Sequence, residues 1–251
     1  MKKYVIFLIF LCLAVTQFAQ KIELKFCINP KFSGNLSQNK KAIENYKTNL
    51  DSIYNVKSEK NSQSFLLGKI LEEKNDSLTI ETLTYMMPDY VSPTHFDFEL
   101  KNIKKINILS SNINSNRYPT HENVVIKNDS LMVGVFALYS PDYFVKNDVN
   151  PEFGLSPKYL NSFKKHVKKI KKNYPDIIII VLSNLSKAVD RYFYNNIPVE
   201  AIVSFDYKNY SNTEFGEKQF YSLKSDEIGV LLINRISRNE LEISWEEKVI
   251  K

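Results

Sequence analysis

Residues 156–183, "SPKYLNSFKKHVKKIKKNYPDIIIIVLS", constrain this chain more than any other stretch. In the first part Leu160, Phe163, Val167 and Ile170 recur at helical spacing and Pro157 suits a first helical turn, which predicts a helix over 157–173. The second part is apolar without alternation from Ile177 to Leu182. A strand of that kind has no face to offer to water, so it belongs inside a sheet covered on both sides. A helix feeding such a strand is half of a strand–helix–strand crossover, which implies an α/β fold containing parallel strands.

Other segments extend this pattern. "IELKFCI" reads as a first strand, and "NKKAIENYKTNLDSIYNV" places Ile43, Tyr46, Leu50 and Ile53 at helical spacing with Ser37 as a cap. "LTIETLTYM" and "FELKNIKKI" read as helices, "YVS" and "NILSSNI" as strands. "NVVIKNDSLMVGVFAL" reads as two strands joined at Asn128-Asp129, and "KQFYSLK", "IGVLLINRIS" and "LEISWEE" as three closing strands. No repeat, glycine-rich linker or low-complexity block divides residues 20–251. One domain is therefore expected there, with a mixed sheet or two sheets.

Residues 1–19 have the make-up of a secretory signal, with Lys2 and Lys3 ahead of the apolar run "YVIFLIFLCLAV". Cleavage is expected after Ala19. The run is short for a stable membrane span, the competing reading being an uncleaved anchor. Phe10 and Leu11 precede Cys12, which does not fit a lipoprotein signal. Removing residues 1–19 lowers the net charge from +6 to +4, a balance that gives no argument for nucleic acid. It also leaves Cys27 as the one remaining thiol, so no intramolecular disulfide is expected in a periplasmic or extracellular setting. Stability then rests on the core, which about 230 residues can build. No second apolar run is long enough to span a membrane.

Several short phrases follow strand-like segments: "INPKFSGNL", "QSFLLG", "SPTHFDFEL", "VGVFALYSPD", "IIVLSNLS" and "IPVEAIVSFDYK". In this order, from about Ile22 to Tyr207, they resemble the catalytic domain of the 5′-nucleotidase/UDP-sugar hydrolase family, within the calcineurin-like metallophosphoesterases. The resemblance implies a four-layer α/β sandwich, two mixed β-sheets flanked by helices, with two metal ions held on loops at the strand ends. It also implies that the motifs have changed chemistry. Asn29 and Gly34 fit the first motif, but Pro30 stands at its metal-binding Asp, and Phe32 or Ser33 at its His. Gln63 and Ser64 stand where Gly and the bridging Asp belong. Asp89, Phe96 and Asp97 keep the framework of the third motif, while Pro93 takes the place of the Asn ligand and Thr94 that of the catalytic His. Asn184 replaces a ligand His, and Asp206 and Lys208 replace a final pair.

A hard dinuclear site needs converging carboxylates and imidazoles. The chain has three histidines, His95, His121 and His166, fewer than that site and its catalytic residue require. With metals lost, packed carboxylates would repel one another, and neutral Pro30, Ser64, Pro93, Thr94 and Asn184 avoid that cost. Lys208 would oppose a cation outright. The expected positions of the former site are thus Asn29, Pro30, Ser64, Pro93, Thr94, Asn184, Asp206 and Lys208, converging at the carboxyl ends of the strands.

Each remaining candidate has two readings. His95 with Asp97 reads as a general acid–base pair or as turn residues. Asp206 could join Asp89 or Asp142 in a weak cation site, whereas both partners also suit turns. Cys27 reads as a reactive thiol or a buried structural one. Lys164, Lys165, Lys168, Lys169, Lys171 and Lys172 read as a docking face for a polyanion or as a solvated helix face, with His166 facing solvent among them. His121 reads as a loop residue. In the resembled family, nucleobase stacking comes from a separate carboxy-terminal domain, which a chain ending at Lys251 is expected to lack.

The expected product is an exported single-domain protein without catalytic residues, metal or other cofactor, binding a protein partner or an anionic small ligand. The alternative is a divergent phosphoesterase using a divalent metal ion, with His95, Asp97 and Asp206 as its residual groups. A thiol-dependent protein built around Cys27 is a third reading.

Overall fold

A computed structural model describes residues 20–28, 44, 62–68, 89–93, 107–115, 120–128, 131–139, 153–155, 159–185, 187–205, 220–223, 227–237 and 240–249. The expected signal over 1–19 and the expected helices over 39–56 (residue 44 apart), 78–86 and 98–106 lie outside the described residues.

Among the described residues, seven strands form one sheet: β1 (Gln20–Ile28), β2 (Ser62–Gly68), β3 (Tyr90–Pro93), β4 (Ile108–Leu109), β6 (Thr120–His121), β13 (Glu227–Ser237) and β14 (Glu240–Val249). Their order is β14-β13-β1-β2-β3-β4-β6. β1, β2, β3, β4 and β6 run parallel, and β13 and β14 are antiparallel additions. Five strands form a second sheet: β7 (Val124–Asn128), β8 (Leu131–Leu138), β10 (Ile178–Ser183), β11 (Ala201–Ser204) and β12 (Phe220–Ser222). Its order is β12-β11-β10-β8-β7, parallel except for β7. β5 (Ile113–Ser115) and β9 (Phe153–Leu155) make a separate antiparallel ribbon. Among the described residues, α1 (Tyr159–Asn173) and α2 (Lys187–Asn196) are helices. This is the two-sheet, mixed α/β architecture the sequence predicts.

Two faces of each buried strand account for the layering. In β10, Ile178, Ile180 and Leu182 join the core between the sheets, which also takes Ile22, Leu24 and Phe26 of β1. Ile177, Ile179 and Val181 point the other way, into a second core closed by Phe163 and Val167 of α1 and Phe193 of α2. α1 is thus the crossover between parallel β8 and β10 that the apolar run demands. Its lower end is clasped by Glu200. One carboxylate oxygen accepts from Lys171 Nζ at 2.5 Å and the other from the Ile179 N–H at 2.6 Å. β1, by contrast, alternates. Lys25 is buried on its opposite face and meets Glu23, two residues back, at 3.0 Å.

Two sequence expectations need correction. "NILSSNI" is not one strand: the Ser110 N–H bonds His121 O in the first sheet, whereas the Ser111 N–H bonds Ala137 O in the second. The chain therefore crosses between the sheets at this point, and β4 and β5 part. His121 is not a loop residue, because it pairs with Leu109 in β6 and sets its ring edge-on to Tyr90.

Trp245 of β14 lies across β13 to reach its partners. Its ring stacks on Tyr221 of the second sheet at 4.9 Å and on Phe26 of β1 at 6.1 Å. Gly229 makes this possible, since a Cβ there would sit 2.0 Å from Trp245 Cη2 and 2.2 Å from Cζ2. A flat, packed ring cannot move aside like a flexible chain end. Gly229→Ala is therefore expected to destabilise by about 1–3 kcal/mol, although an ordinary strand gains stability from that change. Denaturant midpoints check the sign, and the loss should shrink when Trp245→Ala is introduced with it.

Candidate functional site

The carboxyl end of β3 in the first sheet meets the carboxyl end of β8 in the second. Ser92, near the end of β3, places its hydroxyl 2.5 Å from that of Tyr139, the residue after β8. Asn112 holds Tyr139 from the other side: its Nδ2 donates to Tyr139 O at 2.7 Å, and its Oδ1 accepts the Tyr139 N–H at 3.0 Å. Phe205, which follows β11, sets its ring edge-on to Tyr139 at 6.5 Å. All four side chains are buried. The junction between the sheets is closed by a clamped aromatic residue that sequence reasoning passed over, and its one signal was a bulky residue directly after an apolar strand.

Beside this junction, β10 ends at Ser183 and the chain turns at Asn184. The Asn184 N–H bonds Leu138 O at 3.1 Å. Ser183 Oγ accepts the Leu185 N–H at 3.1 Å and donates to Asp190 Oδ1 of α2 at 2.5 Å. Asp190 is fully buried, its other carboxyl oxygen has no partner among the described residues, and burial pushes its carboxyl up to about 8, a rise the Ser183 bond only partly counters. Burial therefore favours its protonated, neutral form. Ser204, in register with Ser183 on β11, also has a buried hydroxyl with no partner among the described residues.

The expected site positions separate into three sets. Asn184 lies at the strand ends, and the backbone of Pro93 ends β3 opposite Gly68. Ser64 does not join them. It is the third residue of β2, which continues to Gly68, where a φ of 81° turns the chain out. Ser64 instead forms a closed pair with Asp89, the residue before β3. Asp89 Oδ2 accepts from the Ser64 N–H at 2.7 Å and from Oγ at 2.8 Å, while Ser64 Oγ accepts the Asp89 N–H at 3.0 Å. This pair sits toward the opposite, amino-terminal ends of β2 and β3, so Asp89 serves structure there. Asn29, Pro30, Thr94, His95, Asp97, Asp142, Asp206 and Lys208 lie outside the described residues. Cys27 pairs through its backbone with Leu66 and Ile228, and its side chain lies outside them as well.

His166 also departs from expectation. It is 23% exposed rather than solvent-facing, with Nδ1 3.0 Å from Glu122 Oε1 and its ring edge-on to Phe136. Its place on α1 between Phe163 and Val167 turns it toward the sheet.

The described strand ends offer the paired hydroxyls of Ser92 and Tyr139, the Asn112 carboxamide bonded to the Tyr139 backbone, and one acid whose burial favours its neutral form. Two hard cations need ionised carboxylates and imidazoles, so the described groups do not fit a dinuclear centre. Among the described residues no three His, Cys, Asp or Glu side chains gather to hold a metal ion. No described helix is long and apolar enough to cross a membrane.

No family model and no curated protein matches this chain. Solved structures do. NAD nucleotidase from Haemophilus influenzae superposes with a TM-score of 0.67 at 12% identity, over 92% of this chain and 50% of that one. The 5′-nucleotidase precursor from Thermus thermophilus gives 0.60 at 13%, over 92% and 54%. A calcineurin-like phosphoesterase from Bacillus subtilis gives 0.60 at 10%, over 92% and 91%. The chain spans about half the length of the two nucleotidases. At these identities the likeness establishes the fold: two mixed sheets with helices, as in the calcineurin-like phosphoesterases.

Proposed function

We propose that this chain is an exported protein of metallophosphoesterase fold that no longer performs metal-dependent chemistry. It uses the strand-end edge of the sheets as the surface that binds a protein partner or an anionic small ligand. One observation carries the reading: Tyr139, held by Ser92 and Asn112, fills the junction where the two sheets present their strand ends. The bonded set of Ser92, Tyr139 and Asn112 is neutral and forms a floor without a cation, whereas ionised ligands at the same depth would need one. Export rests on Lys2, Lys3 and the apolar run after them.

The test joins metal binding to turnover. Adding manganese, zinc, cobalt or calcium to the chelator-treated protein is expected to leave its melting temperature unchanged, because a ligand that binds only the folded state must raise it. Hydrolysis of nucleotides, sugar nucleotides and simple phosphomonoesters should stay at background. A metal-dependent rise of several degrees, or turnover abolished by a chelator, would restore an enzyme, and His95, Asp97 and Asp206 would be the side chains to substitute first.

A further inference from the structure

A groove of about 470 Å³ runs between α1 and the turn that precedes β7, and none of the described strand-end residues lines it. Its floor is fixed. His166 Nδ1–H donates to Glu122 Oε1 at 3.0 Å, and Nε2 accepts from Asn123 Nδ2 at 3.1 Å, so a single tautomer satisfies both contacts. The ring is further held edge-on against Phe136 at 5.6 Å. Half-buried Ile170 adds an apolar patch.

One wall is basic. Lys165, Lys169 and Asn173 follow at four-residue steps on α1, so their side chains stand one helical turn apart, with Cβ atoms about 5–6 Å from each other. Both lysines are exposed, and neither has an ion-pair partner among the described residues. Lys171, in contrast, is taken up by Glu200. Among the described residues Glu122 is the one carboxylate on the groove, and it is turned onto His166. Two ammonium groups therefore face the opening, with a carboxamide beside them and a preorganised floor below.

We propose that this groove binds a small ligand with two linked anionic groups, one held by Lys165 and one by Lys169, with Asn173 as a further donor and Ile170 beneath the link. The idea does not depend on the fate of the strand-end edge. Calorimetric titration of the purified protein with inorganic pyrophosphate and, separately, with succinate tests it and tells phosphate from carboxylate chemistry. Saturable one-to-one binding of at least one probe is expected. The double variant Lys165→Ala/Lys169→Ala should weaken it about tenfold or more. The double variant Lys168→Ala/Lys172→Ala removes the same charge from lysines that do not line the groove, and should change affinity by less than about twofold. Binding of neither probe, or equal weakening in both double variants, would overturn the proposal, the second outcome assigning the effect to diffuse charge.

Discussion

Raising the pH from 5 to 8 is expected to cost this protein several kcal/mol of stability, and Asp190→Asn is expected to abolish most of that loss. Asp190 titrates at about 8 in the folded chain, against an ordinary value of 3.8, because burial penalises its charged form. Between these values the unfolded chain has released the proton and the folded chain has kept it. The unfolded state then binds fewer protons, so stability falls as pH rises, by up to about 1.4 kcal/mol per pH unit. The contribution is fully present below 3.8 and is lost as pH climbs through 8. Asparagine keeps an oxygen for the Ser183 hydroxyl and cannot ionise. The two proteins should have similar stability near pH 4, with the variant ahead by an amount that grows toward pH 8. Denaturant unfolding at four pH values measures this difference while other titrating groups cancel. A gap that stays constant with pH would refute the protonated state of Asp190.

Truncating Phe163 should be the most damaging single change on α1. The side chain is 4% exposed and makes edge-on contacts with Phe136 of β8 at 5.2 Å and Phe193 of α2 at 5.3 Å. Phe163→Ala would open a cavity where three elements meet, and such cavities close only partly. The expected loss is about 3–5 kcal/mol, including the aromatic pairs. Lys168→Ala, on the exposed face of the same helix, should cost about 0.5 kcal/mol or less. Comparable losses for the two variants would mean that the faces of α1 are reversed.

The crossover was legible because α1 and β10 obey one period each: Phe163, Val167 and Ile170 recur at helical spacing, and the run from Ile177 to Leu182 has no alternation at all. α2 carries a similar but shorter signal in Val189, Phe193 and Ile197, diluted by exposed Tyr192 and by the asparagines at its end, and it went unread. Ser64 was misplaced for a related reason. A polar residue ahead of "FLLG" resembles a strand boundary, yet here it lies inside the strand because Asp89, 25 residues away, satisfies it. Such long-range compensation leaves no periodic trace. Tyr139 and Asn112 were invisible for the same reason, since their bonds join segments 27 residues apart and depend on how the two sheets meet. Asn184 directly follows β10, the least ambiguous strand in the chain, so its position at a strand end was legible.

Trp245 is the chain's one tryptophan, and it stands where the two sheets touch, stacked on Tyr221 of one and Phe26 of the other. Its fluorescence is consequently a built-in optical gauge of that seam. A shift in emission would mark the sheets coming apart at the β12–β14 edge, while helical circular dichroism would follow α1 and α2. If the two signals changed at different denaturant concentrations, unfolding would proceed in stages, with each stage assigned by its own chromophore.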